Sequence, residues 1–407
     1  MTYTTSSDSP TPRRAHAATL MCGFFSLSLM QMLALSIPLW GGHIGLSAAL
    51  LGIAVGARSV LPMVYSIHFG AMMDELGVRR ILIVAASGCA ALPLLHPLAL
   101  AAPALIVLQL ALGLASATVW LAAQTSVARL AAGAPQLPSR FSFVTVAGTV
   151  VGAPLLGLAW DFGGPMAGFA LIALWGGGAL AAALILPAER SRHSRTVSWR
   201  VLLPDLRAYG RAWRVLLMPA GALVISASSL RLAGISMKES FYPVLLANDG
   251  HTASVIGGLF ALASLVSAPA ALLAPRLTKL VGSESRALVG GVLFLLAAIT
   301  ITPALDGVVM LALAMAMFGA GIGATMPLMF SILAQDLPSD AQGVGAGLRA
   351  TVNRAAAFVI PIMMGLISEL AGVTLAFWVT GAALILAAAT LGLIVRRRAG
   401  GARSPGD

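Results

Sequence analysis

The chain alternates between long apolar runs and short polar intervals. A helix needs about 20 apolar residues to cross ~30 Å of hydrocarbon. Runs of that kind lie near 17–40, 47–69, 81–98, 103–128, 141–160 and 165–187, and again near 215–246, 253–275, 287–304, 307–333, 341–368 and 373–395. The pattern predicts an all-α polytopic membrane protein with twelve transmembrane helices. The run 215–246 is longer than one crossing needs.

Composition agrees with that reading and excludes others. The 407 residues are 59% hydrophobic and 10% charged, with mean hydropathy +0.94. A soluble domain is about a quarter charged. The 43 Gly, 22 Pro and 17 Met suit packed membrane helices, whose contacts favour small residues. The only lysines are Lys238 and Lys279, and neither is followed by Ser or Thr, so no phosphate-binding G-x-x-x-x-G-K-[ST] loop exists. No His is followed by Glu, so the H-E-x-x-H zinc motif is absent. Cys22 and Cys89 stand inside apolar runs as small packing residues and form no C-x-x-C pair. No cofactor, metal or catalytic constellation is expected, and therefore no enzyme.

Charge changes the picture next. The net charge of +11 would suit nucleic acid in a soluble protein, but its placement says otherwise. Of 25 Lys and Arg, twenty fall in the N-terminus, alternate loops and the C-terminus: Arg13, Arg14, Arg79, Arg80, Arg129, Arg140, Arg190, Arg192, Arg195, Arg200, Arg207, Arg211, Arg214, Arg276, Lys279, Arg286, Arg396, Arg397, Arg398 and Arg403. The other loops hold none and carry His43, Asp161, Asp249, Asp306 and Glu369. The positive-inside rule then puts both termini in the cytoplasm, with the basic residues facing anionic lipid rather than nucleic acid. Arg13-Arg14 lacks the usual continuation of a twin-arginine signal, so the first run is expected to be a retained helix.

The two sets of six runs repeat. Shifting the second by 205 residues aligns Pro38 with Pro243, Ser47 with Thr252, Gly52 with Gly257, Ser59 with Ser264 and Gly77 with Gly282; a shift of 200 aligns 137–139 with 337–339 as Leu-Pro-Ser. Six-helix repeats imply a pseudo-two-fold axis along the membrane normal and a central cavity between halves. The expected division is 1–187, a cytoplasmic linker 188–214, and 215–407. In the linker, Leu206, Tyr209 and Trp213 share one helical face and Arg207, Arg211 and Arg214 another, the pattern of a helix in the headgroup layer. An irregular basic linker is the alternative.

Between the second and third runs stands Gly70-Ala-Met-Met-Asp74-Glu-Leu-Gly77-Val-Arg79-Arg80. It resembles the loop signature of the major facilitator superfamily, G-x-L-x-D-x-x-G-R-[RK]-[RK]. The resemblance extends over essentially the whole chain and implies that this loop latches the halves on the cytoplasmic side. The second-half copy, 275–286, keeps only Gly282 clearly and has Lys279 in the place of Asp74. In the fourth helix the family's R-x-x-x-G appears with Gly113 but with Gln109 in the Arg position, so a proton-relay Arg does not transfer. In the fifth, the antiporters' G-x-x-x-G-P-x-x-G is partly met by Gly148, Gly152, Pro154 and Gly157, the proline lying one residue late. Small-residue packing with a proline kink explains the same residues.

Five basic residues remain inside the runs: Arg58, Arg231, Lys238, Arg349 and Arg354. A basic residue at the bilayer centre costs ~2.5–3.5 kcal/mol on insertion scales, and faces a cavity or a partner. Arg58 falls near the middle of the second run. Lys238 follows Arg231 by seven positions on the same face, and Arg349 and Asn353 share another. Arg354 points away from that face and reads as a cap for a neighbouring helix. Glu239 is the one acid well within a run; it is either a proton carrier or a neutralising partner of Lys238. The resemblance implies that the first, fourth, seventh and tenth helices line the cavity, which adds Gln31, Trp120, Gln124, Ser228, Ser229 and Met326. Trp120 is either a stacking surface or an ordinary packing residue.

An excess of positive charge suits an anion, because Arg forks bind carboxylate and phosphate. The expectation is a monomeric secondary transporter of a bacterial inner membrane. It would export a small organic anion or carboxylate-rich metabolite, such as a siderophore-like chelate, by alternating access with protons as a candidate coupling ion. Uptake of an organic anion or sugar acid is one alternative, and a non-transporting membrane sensor or accessory protein is another.

Overall fold

A computed structural model describes residues 12–65, 68–187, 218–336 and 339–401. In chain order the helices are α1 (Pro12–His43), α2 (Ala48–Ala57), α3 (Val60–Tyr65), α4 (His68–Leu76), α5 (Val78–Ala91, continued by a 3₁₀ segment Leu92–Leu98), α6 (Ala102–Leu130), α7 (Leu137–Ile185), α8 (Pro219–Asn248), α9 (Ala253–Val281), α10 (Glu284–Thr300), α11 (Gly307–Asp336) and α12 (Ser339–Gly401). The proposed headgroup-layer helix, with Leu206, Tyr209 and Trp213, lies outside the described residues.

Nine segments among the described residues are long and apolar enough to cross a bilayer. Two of them are double. α7 has 49 residues and α12 has 63, roughly 70 and 90 Å at 1.5 Å per residue, against ~30 Å of hydrocarbon. Each is broken by one glycine with positive φ, Gly164 (φ 69°) and Gly372 (φ 86°). Side chains rarely tolerate that conformation, so glycine is what lets the chain turn back there. With the 17-residue α10 the crossings number twelve, and the fold is all-α as the apolar runs predict.

The second crossing is not one helix. It breaks at Arg58–Ser59, between α2 and α3. The break coincides with a close approach of α6: a Cβ on Gly113 would overlap the carbonyl oxygen of Arg58. Gly113 is therefore a seat for the α2–α3 break, a packing role independent of the missing arginine at Gln109.

Residues aligned by the 205-residue shift do matching work. Ser47 and Thr252 are the N-caps of α2 and α9, accepting from Leu50 N and Val255 N at 3.4 Å each. Gly77 and Gly282 both have positive φ, 84° and 75°. Gly52 and Gly257 each bring a helix of one set onto the backbone of the other: Gly52 meets Pro361 O and Gly365 Cα on α12, and Gly257 meets Ala153 O and Pro154 Cα on α7. Gly365 returns the first contact against Ala48, and Gly157 the second against Ala253. The described contacts between the first six and last six crossings run mainly through α2–α12, α7–α9 and α1–α8. The first two joints lie at the end of the bundle whose loops carry acids.

These seats give a paired prediction. Gly113→Ala forces a methyl group into the Arg58 backbone, and overpacking of this kind costs about 1–3 kcal/mol. Gly177, in α7, has nothing within 4 Å of an added Cβ, so Gly177→Ala gains about 0.5–1 kcal/mol of helix propensity. Thermal unfolding of the purified variants should move down for the first and up or not at all for the second.

Candidate functional site

The intramembrane charges converge where α1, the α2–α3 break, α8 and α12 meet. Arg58 Nη2 donates to Glu239 Oε2 at 3.4 Å, with the side chains 13% and 24% exposed. Lys238, the preceding residue, is 2% exposed. Its Nζ donates to Gln31 Oε1 at 3.3 Å and lies 4.0 Å above the Phe260 ring, with Phe318 at 5.9 Å. Adjacent residues of α8 thus reach separate partners in the first six crossings. Lys238 and Glu239 stay within electrostatic reach of each other, but Glu239 gives its contact to Arg58. The exposures also separate them: Lys238 is sealed under two rings, and Glu239 keeps an open side.

Arg231 and Arg349 form a second group. Arg231 Nε donates to Thr325 Oγ1 at 3.0 Å and its Nη2 to Ile322 O at 3.4 Å, both neutral acceptors on α11. Arg349 lies over the Phe330 ring at 5.6 Å, and its buried Nε has no hydrogen-bond partner among the described residues. Arg231 stands three residues from Ser228 on α8 and Arg349 four residues from Asn353 on α12, so the two arginines are on helix faces that meet. Beside them Ser228 and Asn353 hydrogen bond at 3.0–3.1 Å, tying α8 to α12. The four-residue spacing does place Asn353 on the face that meets α8. Like charges held together on neutral partners are what an anion would neutralise.

Arg354, half-buried on α12, stands within electrostatic reach of Arg58 and Glu239. About 140° of rotation at 100° per residue separates it from Arg349, which lets α12 present arginines to both groups. Sequence reasoning also passed over Thr325, Phe330, Phe260 and Phe318. Polar and aromatic residues in apolar runs carry no signal that marks them as arginine or lysine partners. Another omission is His96. It meets Gln109 Nε2 at 2.9 Å and stacks on Phe169 at 4.6 Å, so a neutral buried pair occupies the place where the family's fourth-helix arginine would stand.

The remaining candidates are elsewhere or serve packing. Trp120 stacks on Phe141 at 6.1 Å, and Gln124 is exposed on α6. On α7, Gly148 meets Phe24 O, Gly152 meets Ser28 and Met32 of α1, and Gly157 meets Ala253 of α9. In the loop motif, Gly77 makes the positive-φ turn into α5, and Arg79 Nη2 donates to Leu184 O at 2.9 Å, within the same six crossings. Arg80 is exposed. Gly70 and Asp74 are on α4, and the surroundings of Asp74 lie outside the described residues. A groove of about 400 Å³ lined by Leu20, Gln136, Ser139, Arg140, Phe143 and Val144 includes none of the central bases.

The Arg58–Glu239 pair makes a double-mutant cycle informative. Removing one partner of a buried pair costs up to ~3–5 kcal/mol because the other charge is left uncompensated. Thermal unfolding should show Glu239→Gln more destabilised than the Arg58→Gln, Glu239→Gln double variant. Additive single effects would mean that the two side chains do not interact.

Residues 19–361 match the Major Facilitator Superfamily. No curated protein matches the chain by sequence. Solved structures match over nearly its full length. A mutant of the nucleoside transporter NupG superposes with TM-score 0.74 at 13% identity, over 93% of this chain and 98% of that one. NupG itself gives 0.72 at 15% identity over the same shares. A bacterial homologue of the human lysosomal transporter Spinster, captured inward-facing and unoccupied, gives 0.72 at 14% identity over 95% and 98%. At these identities the likeness is one of fold. The twelve crossings, the loop motif and the match over residues 19–361 make this chain a member of the major facilitator superfamily.

Proposed function

We propose that the protein is a secondary transporter that exports a small organic anion, carboxylate-rich and of the kind a siderophore-like chelate represents. The observation that carries the anion is the Arg231–Arg349 pair. Arg231 is held by the neutral Thr325 hydroxyl and Ile322 carbonyl, Arg349 lies over the Phe330 ring, and the buried Nε of Arg349 has no hydrogen-bond partner among the described residues. Arg58, Arg354 and Lys238 add positive charge nearby, against Glu239 alone. A carboxylate held in bidentate fashion gains charge-assisted hydrogen bonds and relieves the repulsion between the arginines. An uncharged nucleoside, the cargo named for NupG, would leave that repulsion in place.

Glu239 is the proposed coupling group. It is the partly open member of the Arg58 pair, so protonating it frees Arg58 for substrate, and losing the proton returns Arg58 to it. Rocking of two halves, 1–187 and 215–407, would carry the bound anion across. The export direction rests on the Gly148–Gly157 pattern. The arginine distribution supports a bacterial inner membrane with both termini cytoplasmic. The protein would work as a monomer.

Proteoliposome flux with labelled organic anions, organic cations and nucleosides tests this reading. An anion should be the transported class. The Arg231→Gln, Arg349→Gln double variant should lose at least tenfold in transport, which is about 1.4 kcal/mol of substrate binding. Equal flux by that variant, or transport of cations or nucleosides alone, would overturn the anion assignment. Flux inward only, under an inward proton gradient, would make the protein an importer.

A further inference from the structure

At the end of the bundle with acidic loops, two carboxylates cross between the first and last six crossings. Asp161, on α7, accepts from Ala253 N and Ser254 N, both at 2.9 Å, at the start of α9. Glu369, on α12, accepts from Ala49 N at 3.2 Å, at the start of α2. The first N–H groups of a helix have no partner within it and carry its positive dipole end. The local caps take only one each: Thr252 binds Val255 N and Ser47 binds Leu50 N. The acids complete the caps from the opposite set. Each stands four residues, about one turn, beyond a glycine that presses on the same helix, Gly157 for Asp161 and Gly365 for Glu369. The two arrangements are copies related by the internal repeat.

We infer that Asp161 and Glu369 are paired positioning residues of the transport cycle, holding the acidic-loop end closed by capping helices of the opposite half. The α2–α12 and α7–α9 joints must part for the centre to open toward that end, and parting leaves the α2 and α9 N–H groups without their carboxylates. The glycine contacts alone are short-ranged and carry no charge. The acids add a directional term that exists only in the closed arrangement, and only such differential contacts shift a two-state equilibrium. This does not depend on which substrate moves.

The test is a distance measurement by pulsed electron paramagnetic resonance. Spin labels go on Gly42→Cys, at the exposed end of α1, and Asn248→Cys, at the exposed end of α8; Cys22 and Cys89 are buried. Asp161→Asn and Glu369→Gln keep the size of each side chain and remove its charge. Each single variant should raise the ratio of long to short distances about threefold, and the double variant about tenfold. A double variant whose distances superpose on the parent's overturns the inference. So does one that loses helical circular dichroism without a longer distance appearing in either single variant, because the acids would then serve folding alone. The measurement needs no substrate, so its failure is separate from failure of the anion reading.

Discussion

Placing a cation in hydrocarbon without a partner is the constraint on which the rest of this structure turns. Five basic side chains enter the membrane span, and each costs ~2.5–3.5 kcal/mol on insertion scales unless the protein answers it. The answers differ. Arg58 takes a carboxylate, Lys238 an amide and an aromatic cage, and Arg231 a hydroxyl and a carbonyl. Arg349 has an aromatic face and an orphan Nε. The Arg58–Glu239 and Lys238–Gln31 contacts join α8 to the first six crossings. Arg231 and Arg349, answered by neutral groups, make the candidate site.

Fold and site are therefore linked through α8. Residues 238 and 239 hold the two sets together, and Arg231, two turns away, is three residues from Ser228, which ties α8 to Asn353 on the Arg349 face of α12. The backbone break at Arg58 belongs to the same economy of space: Gly113 lets α6 close on the break, where Arg58 can reach Glu239. Toward the acidic loops, the joints at Gly52–Gly365 and Gly157–Gly257 bring the sets together by backbone contact. Contacts made by small residues suit an interface that must part and re-form, because they require no burial of large interlocking side chains.

Much of this was legible in the sequence, because it depends on hydrophobic length and on charge placement. Twelve runs predicted twelve crossings, and the glycines that split α7 and α12 stood at the predicted polar breaks. Repeat partners such as Ser47 and Thr252 turned out to share a capping role. What the sequence left hidden depends on which neighbours helices choose. Nothing in the runs says that Lys238 would pair with Gln31, 207 residues away, or Arg231 with Thr325. A helical wheel gives the direction of Arg354 but not that Arg58 and Glu239 stand within its electrostatic reach. The fifth-helix glycines were visible as a motif, but not that Gly148 and Gly152 pack on α1 and Gly157 on α9.

Excess positive charge at the centre, rather than polarity in general, is the central claim, and ligand-induced stabilisation of the purified protein tests it most directly. Thermal unfolding is followed with a panel of organic anions, neutral nucleosides and organic cations at fixed ionic strength, since any ligand that favours the folded form raises the midpoint. The expected result is a rise with one or more anions that is lost in Arg231→Gln, Arg349→Gln and kept in the surface variant Arg396→Gln. A rise with a cation or a nucleoside and with none of the anions, or an anion effect that survives loss of both arginines, would contradict it.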